Sequence, residues 1–189
     1  MVLAVLKSDK YAAIILALGS LELFINSFIT TKFGVLMVSI GKKVAGFSLP
    51  ATGDNELSLE DFKGGNLVLY FYPKDSTPGC TLEGQNFRDT HELFRQNNTE
   101  ILGVSRDSLK AHENFKARQG FPFELLSDQD ETLCRQFDVI HEKNMYGRKV
   151  MGIVRSTFLI DGEGILRQEW RKVRVKGHVD EVLDAVTAL

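Results

Sequence analysis

From Gly41 onward the hydrophobic positions fall into short blocks separated by Gly-, Pro- and Asp-containing turns. Asn66 to Tyr72 (NLVLYFY) is an unbroken run of aliphatic and aromatic residues. It is too short for a helix and predicts a strand buried on both faces. Thr77 to about Phe94 predicts a helix, Ile101 to Val104 a second buried strand, and Ser105 to Gln119 a second helix stopped by Gly120. Phe123 to Leu126 reads as a short strand and Asp130 to Phe137 as a short helix. Arg155 to Ile160 is a strand that turns through Asp161-Gly162-Glu163-Gly164 into Ile165 to Trp170, a hairpin by its turn chemistry. His178 to Leu189 predicts a closing helix. Upstream, Ser58 with Asp61 three residues on predicts a short capped turn ended by Gly64-Gly65. The order describes an α/β chain with a mixed central sheet and helices on both faces.

Residues 1–36 follow a different pattern. Tyr11 to Thr30 (YAAIILALGSLELFINSFIT) is mostly apolar, with Lys7 and Lys10 ahead of it and Glu22 and Asn26 within it. A basic stretch before an apolar one suits a signal peptide or signal anchor. Glu22 would cost roughly 2.5–3.5 kcal/mol at the centre of a spanning helix, and no A-x-A-like cleavage site follows. A third reading is an over-long start, because Met37-Val-Ser-Ile-Gly begins a reasonable domain. The expected organisation is therefore an N-terminal extension, 1–36, and one domain, 37–189. The expected location is cytoplasmic, with membrane anchoring or export as the alternative if residues 11–30 act as a signal; membrane contact is expected only through 1–36.

Composition narrows the function classes. With 43% hydrophobic and 25% charged residues, the 189-residue chain can bury an ordinary core. The net charge of −2 gives no electrostatic case for nucleic acid. Two cysteines, Cys80 and Cys134, exclude a disulfide framework and a four-thiolate zinc site. Such sparse use suits a reducing compartment, where a thiol is either chemical or buried. His91-Glu92 opens like a zinc-protease helix, but Arg95 stands where the second His belongs. No metal site and no bound cofactor are expected.

The informative segment is Tyr72-Pro73-Lys74-Asp75-Ser76-Thr77-Pro78-Gly79-Cys80. Pro73 ends the strand, Thr77 is a good N-cap and Pro78 a good first helical residue. Cys80 then falls in the first helical turn, where free N–H groups and the helix dipole favour an anion. An ordinary thiol has a pKa of about 8.5, and helix N-termini and cations lower it to ~3.5–7.5. A thiol so placed suits nucleophilic chemistry better than packing.

Pro73-x-x-x-Thr77-x-x-Cys80 resembles the signature of the peroxiredoxins. The longer YFYPKDSTPGCTLEG is similar to the bacterioferritin comigratory protein, or peroxiredoxin Q, subfamily. GKKVAGFSLP, GIVRSTFLID and VKGHVDEVLDAV follow in the expected order, so the likeness runs from about Gly41 to the C-terminus. The resemblance implies a thioredoxin-like fold and a thiol-dependent peroxidase acting on hydrogen peroxide or organic hydroperoxides. It implies that Cys80 is the peroxidatic residue and passes through a sulfenic acid. Thr77 would orient the peroxide or hold the thiolate, Arg155 would stabilise developing charge, and Pro73 would shield the pocket. The backbone N–H groups of Gly79 and Cys80 would complete the peroxide site. A monomer or weak dimer is expected.

One departure stands out. Many subfamily members carry a resolving cysteine five residues after the peroxidatic one, where this chain has Gln85. Cys134, in ETLCRQF, is the only internal alternative, and a disulfide would need the two Cα atoms within about 7 Å. A one-cysteine cycle is favoured, reset by thioredoxin, glutaredoxin or a small thiol; a bond between two chains stays open. A thioredoxin-like disulfide oxidoreductase would need Cys-x-x-Cys, but Thr77 replaces the first thiol. A Cys–His hydrolase would need His91, His112, His141 or His178 beside Cys80. A non-catalytic holdase or interaction module predicts that Cys80 is dispensable.

Overall fold

The computed structural model describes residues 37–145 and 148–189. Among these residues nine strands form, in chain order, β1 (Ser48–Ala51), β2 (Asn55–Ser58), β3 (Asn66–Phe71), β4 (Thr99–Ser105), β5 (Glu124–Ser127), β6 (Ile140–Met145), β7 (Arg148–Ile153), β8 (Ser156–Ile160) and β9 (Leu166–Arg171). The helices are α1 (Pro78–Gln96), α2 (Leu109–Gln119), α3 (Thr132–Gln136) and α4 (His178–Thr187), with a 3-10 turn at Leu59–Phe62. Seven strands form one sheet in the order β2-β1-β5-β4-β3-β8-β9, and β6 and β7 pair as a separate hairpin. β3, β4 and β5 run parallel, whereas β8 is antiparallel to β3 and β9 to β8. The sheet is mixed α/β, as the order of elements predicts.

Central placement explains the unbroken apolar run. β3 is paired along both edges, by β4 and β8, and a core cluster covers each of its faces. Its alternation sorts the core into two layers. Leu67, Leu69 and Phe71 pack with Phe137, Phe158, Leu133 and Cys134 on one face. Val68, Tyr70 and Tyr72 pack with Phe87 and Phe94 of α1, Phe115 of α2 and Val179, Val182 and Val186 of α4 on the other. Three long helices thus share one face, while the short α3 and the 3-10 turn cover the opposite one.

The expected elements shift at their ends for local reasons. The second helix starts at Leu109 rather than Ser105, because Ser105 still pairs with Ser127 across β4–β5. Ser108 is the cap that ends the intervening loop, its side chain accepting from the Ala111 N–H. Asp61 accepts from both the N–H and the hydroxyl of Ser58, closing the capped turn. Asp161 Oδ1 accepts from the N–H groups of Glu163 and Ile165, which shapes the β8–β9 turn. The β6–β7 hairpin and the β1–β2 pair have no counterpart in the apolar pattern. Their strands are short or largely solvent-facing, so they leave no hydrophobic run.

Among the described residues, no helix is long and apolar enough to cross a membrane. The apolar stretch 11–30 lies outside the described residues.

Candidate active site

The site grows from the C-terminal end of β3. Tyr72 is buried and its N–H still pairs with Val104 O, after which Pro73 ends the pairing. Thr77 adopts the extended N-cap conformation (φ −86°, ψ 150°) and Pro78 is the first helical residue. The first backbone bond of α1 runs from Thr81 N to Thr77 O at 2.9 Å. The N–H groups of Gly79 and Cys80 therefore precede the ladder and are free for a ligand. Cys80 is buried, with 2% of its surface exposed.

The Thr77 side chain departs from the simplest capping picture. It makes no cap bond; its Oγ1 donates to Lys74 O at 3.1 Å. The hydroxyl proton is committed there, so what Oγ1 offers outward is lone pairs. Pro73, four residues earlier in the same loop, is half-buried.

Arg155 arrives from the β7–β8 connection, 75 residues away in sequence, and its Nη2 lies 3.3 Å from Cys80 Sγ. A Cβ on Gly79 would sit 3.4 Å from that same nitrogen, so the glycine leaves room for the guanidinium to approach. Nη1 of Arg155 donates to Glu83 Oε2. Glu83 is fully buried, one helical turn beyond Cys80, and its Oε1 has no hydrogen-bond partner. Burial pushes its carboxyl up to about 7 against the opposing pull of Arg155. Arg155 itself is held further in its charged form: burial works against the charge, but Glu83 and Cys80 outweigh it. Sequence reasoning assigned no role to Glu83. The available signal was its spacing, three residues after Cys80 on a helix that faces the core.

Gly79, Cys80 and Arg155 are thus brought together, with Thr77 at the cap of the same helical turn and Pro73 in the loop before it. Cys134 is not. It is fully buried among the residues on the Leu67–Leu69–Phe71 face, whereas Cys80 belongs to the Val68–Tyr70–Tyr72 face. The sheet stands between the two thiols. The Cys134 N–H donates to Asp128 Oδ2 at 2.7 Å, and burial, helped by Asp128, pushes its thiol well up. Gln85 donates from Nε2 to Gln119 Oε1 at 2.9 Å, tying α1 to the end of α2. Gly84 makes room on α1 for the Phe121 ring from the loop after α2, because a Cβ there would clash with Phe121 Cζ.

No described histidine hydrogen-bonds to Cys80. His112 contacts Asp75 and Leu126 O, His178 contacts Thr157, and His141 contacts Asp138 O. A Cys–His pair of the hydrolase type is therefore not formed. Among the described residues, no cluster of three or more His, Cys, Asp and Glu side chains could hold a metal.

Comparison with known proteins gives the family. The AhpC/TSA family model matches residues 40–169. Peroxiredoxin Bcp of Xanthomonas campestris pv. campestris is 57% identical over 146 residues, covering 76% of this chain and 91% of the relative. Peroxiredoxin Bcp of Bacillus subtilis is 48% identical over 151 residues, covering 80% and 96%. Among solved structures, peroxiredoxin Q of Xanthomonas campestris superposes with a TM-score of 0.72 at 56% identity, covering 75% of this chain and 90% of that one. A further structure concerns the alkyl peroxide reduction activity of the Xanthomonas campestris bacterioferritin comigratory protein, at the same TM-score of 0.72 and 56% identity. These matches span the segment that carries Cys80 and Arg155 in a thioredoxin-like fold, and the chain belongs to the AhpC/TSA family, as a thiol-dependent peroxidase of the Bcp or peroxiredoxin Q type.

Proposed function

We propose that Cys80 reduces hydrogen peroxide and organic hydroperoxides in a one-cysteine cycle, with Thr77, Pro73, Arg155 and the N–H groups of Gly79 and Cys80 forming the peroxide site. The observation that carries this is the guanidinium of Arg155 at 3.3 Å from a sulfur in the first turn of a helix. The Cys80 thiolate attacks the terminal peroxide oxygen, the O–O bond breaks, and Cys80 becomes a sulfenic acid. The departing alkoxide or hydroxide takes a proton and leaves as alcohol or water. Arg155 faces the charge that develops, as a preorganised cation that needs no reorientation. Thr77 Oγ1, its own proton engaged with Lys74 O, accepts from the peroxide O–H.

An external thiol then attacks the sulfenic sulfur, releasing water and leaving a mixed disulfide; a second thiol frees Cys80. Thioredoxin, glutaredoxin or a small thiol supplies these electrons. The opposite-face placement of Cys134 supports an external reductant over an internal one. The sparse cysteine usage of the chain supports a cytoplasmic site of action, and the protein acts as a monomer or weak dimer. The alkyl peroxide activity described for the Xanthomonas campestris relative supports organic hydroperoxides as substrates.

The test is turnover of hydrogen peroxide and cumene hydroperoxide with each reductant system, for wild type and Cys80→Ser. Wild type is expected to turn over with at least one system, and Cys80→Ser with none. Activity retained in Cys80→Ser would overturn the reading and favour a non-catalytic or differently placed function.

A further inference from the structure

A cluster of buried polar side chains lies beneath the loop that carries Thr77. Tyr72, Asp75 and His112 are 1%, 8% and 0% exposed, next to the aromatic layer of α1 and α2. Asp75 Oδ1 accepts from the Tyr72 hydroxyl at 2.7 Å, and Oδ2 lies 2.8 Å from His112 Nδ1. His112 Nε2 lies 3.1 Å from Leu126 O on β5. A carbonyl oxygen only accepts, so Nε2 carries a hydrogen. Nδ1 faces the carboxylate at hydrogen-bond distance, so both ring nitrogens are engaged.

The same loop is held from two further points. The Asp107 carboxylate accepts from the Asp75 N–H at 2.9 Å, and Arg118 Nη2 donates to Ser76 Oγ at 2.7 Å. Ser76 needs such holding, because it sits in the left-handed region at φ 59°. All the side chains that fix residues 75 and 76, apart from Tyr72, come from α2 and the segment just before it. A buried carboxylate–imidazole pair is seldom worth more to stability than apolar residues of equal volume. What this one supplies is a single geometry for the residues between Pro73 and Thr77.

We propose that His112 and Asp75 are positioning residues for the peroxide pocket: they hold the Pro73–Thr77 loop so that Thr77 and Pro73 flank Cys80. The inference rests on the peroxide-site reading above. Neither residue touches peroxide, and the pair acts through Thr77. Its loss therefore slows the reaction of Cys80 with peroxide while leaving its reaction with an electrophile that does not use Thr77.

The experiment compares, in the full chain, single-turnover oxidation of Cys80 by hydrogen peroxide with its alkylation by iodoacetamide. His112→Gln and Asp75→Ala are expected to lower the peroxide rate about tenfold or more, since small misplacements cost that much, with alkylation within about twofold of wild type. Asp75→Asn is the conservative variant. Its amide still accepts from Tyr72 and donates to Nδ1 of a neutral ring, so its peroxide rate is expected within about threefold of wild type. An unchanged peroxide rate in His112→Gln and Asp75→Ala overturns the proposal, as does an equal fall in both reactions or an Asn variant as slow as the Ala variant. If His112→Gln does not fold, the Asp75 pair decides. Thr77→Val separates this inference from its foundation. A slow Thr77→Val with normal His112 and Asp75 variants sinks the positioning role alone, whereas a Thr77→Val at the wild-type rate sinks the site reading itself.

Discussion

Cys80 and Cys134 are packed against opposite faces of one sheet, separated by the alternation of a single strand. Val68, Tyr70 and Tyr72 of the β3 segment point to the Cys80 side, and Leu67, Leu69 and Phe71 to the Cys134 side. Bridging the thiols within one chain would require dismantling the core between them, because a disulfide reaches only when its Cα atoms lie within about 7 Å.

Intact-mass spectrometry after one equivalent of peroxide, with a sulfenate trap present, reads this separation directly. A trapped adduct on Cys80 is expected both in wild type and in Cys134→Ser. A two-proton mass loss confined to wild-type monomer would instead make Cys134 the resolving residue.

Arg155→Lys keeps a positive charge but loses the fork that reaches Sγ and Glu83 together. Its rate of oxidation by peroxide is expected to fall about tenfold, equivalent to about 1.4 kcal/mol of barrier. Arg155→Ala is expected to fall at least as far in rate, and also to lose about 1–3 kcal/mol of stability, because the Glu83 carboxyl is left buried without its hydrogen-bond partner. Stopped-flow oxidation and chemical denaturation measure the two effects separately.

Glu83 and His178 make opposing contributions to stability between about pH 4 and 7. Burial raises the Glu83 carboxyl to about 7, so across the range above its ordinary value the folded state holds a proton that the unfolded state has lost. Its contribution declines as pH rises through that window, by an amount on the order of 3 kcal/mol. Burial lowers His178 to about 4, with Arg155 adding to the effect, so there the unfolded state binds the extra proton and stability rises with pH. Wild type is expected to be nearly flat over this range, Glu83→Gln to gain stability as pH rises, and His178→Gln to lose it. Urea unfolding at half-unit pH intervals gives the slopes; identical slopes in all three proteins would refute the assignment.

Gly84→Ala places a methyl carbon in clash with the Phe121 ring. Overpacking of this kind costs about 1–3 kcal/mol, and the aromatic layer leaves Phe121 little room to yield, stacked on Phe123 and edge-on to Phe115. The melting temperature is expected to fall by about 2–4 °C for each kcal/mol lost. Thermal unfolding followed by circular dichroism checks it.

The chemistry of the Cys80 junction was legible in the chain because everything that builds it is local. An apolar strand, a proline that stops it, an N-cap and a proline at the first helical position put the thiol in the first turn whatever the rest of the molecule does. The two buried parallel strands and the β8–β9 turn were legible for the same reason, since period and turn chemistry act over a few residues. The β6–β7 hairpin was not, because solvent-facing strands leave no apolar trace.

Only the tertiary structure decided what surrounds the sulfur. Arg155 meets Cys80 and Glu83 across 75 and 72 residues, because β8 pairs antiparallel with β3 and therefore starts at the end where α1 begins. Asp75 and His112 meet across 37 residues because α2 packs beside the loop after β3. The separation of the two cysteines came from which face each element covers, which depends on strand order and not on the spacing of thiols along the chain. Local periodicity selects elements; long-range pairing, where burial and charge are settled together, selects their neighbours.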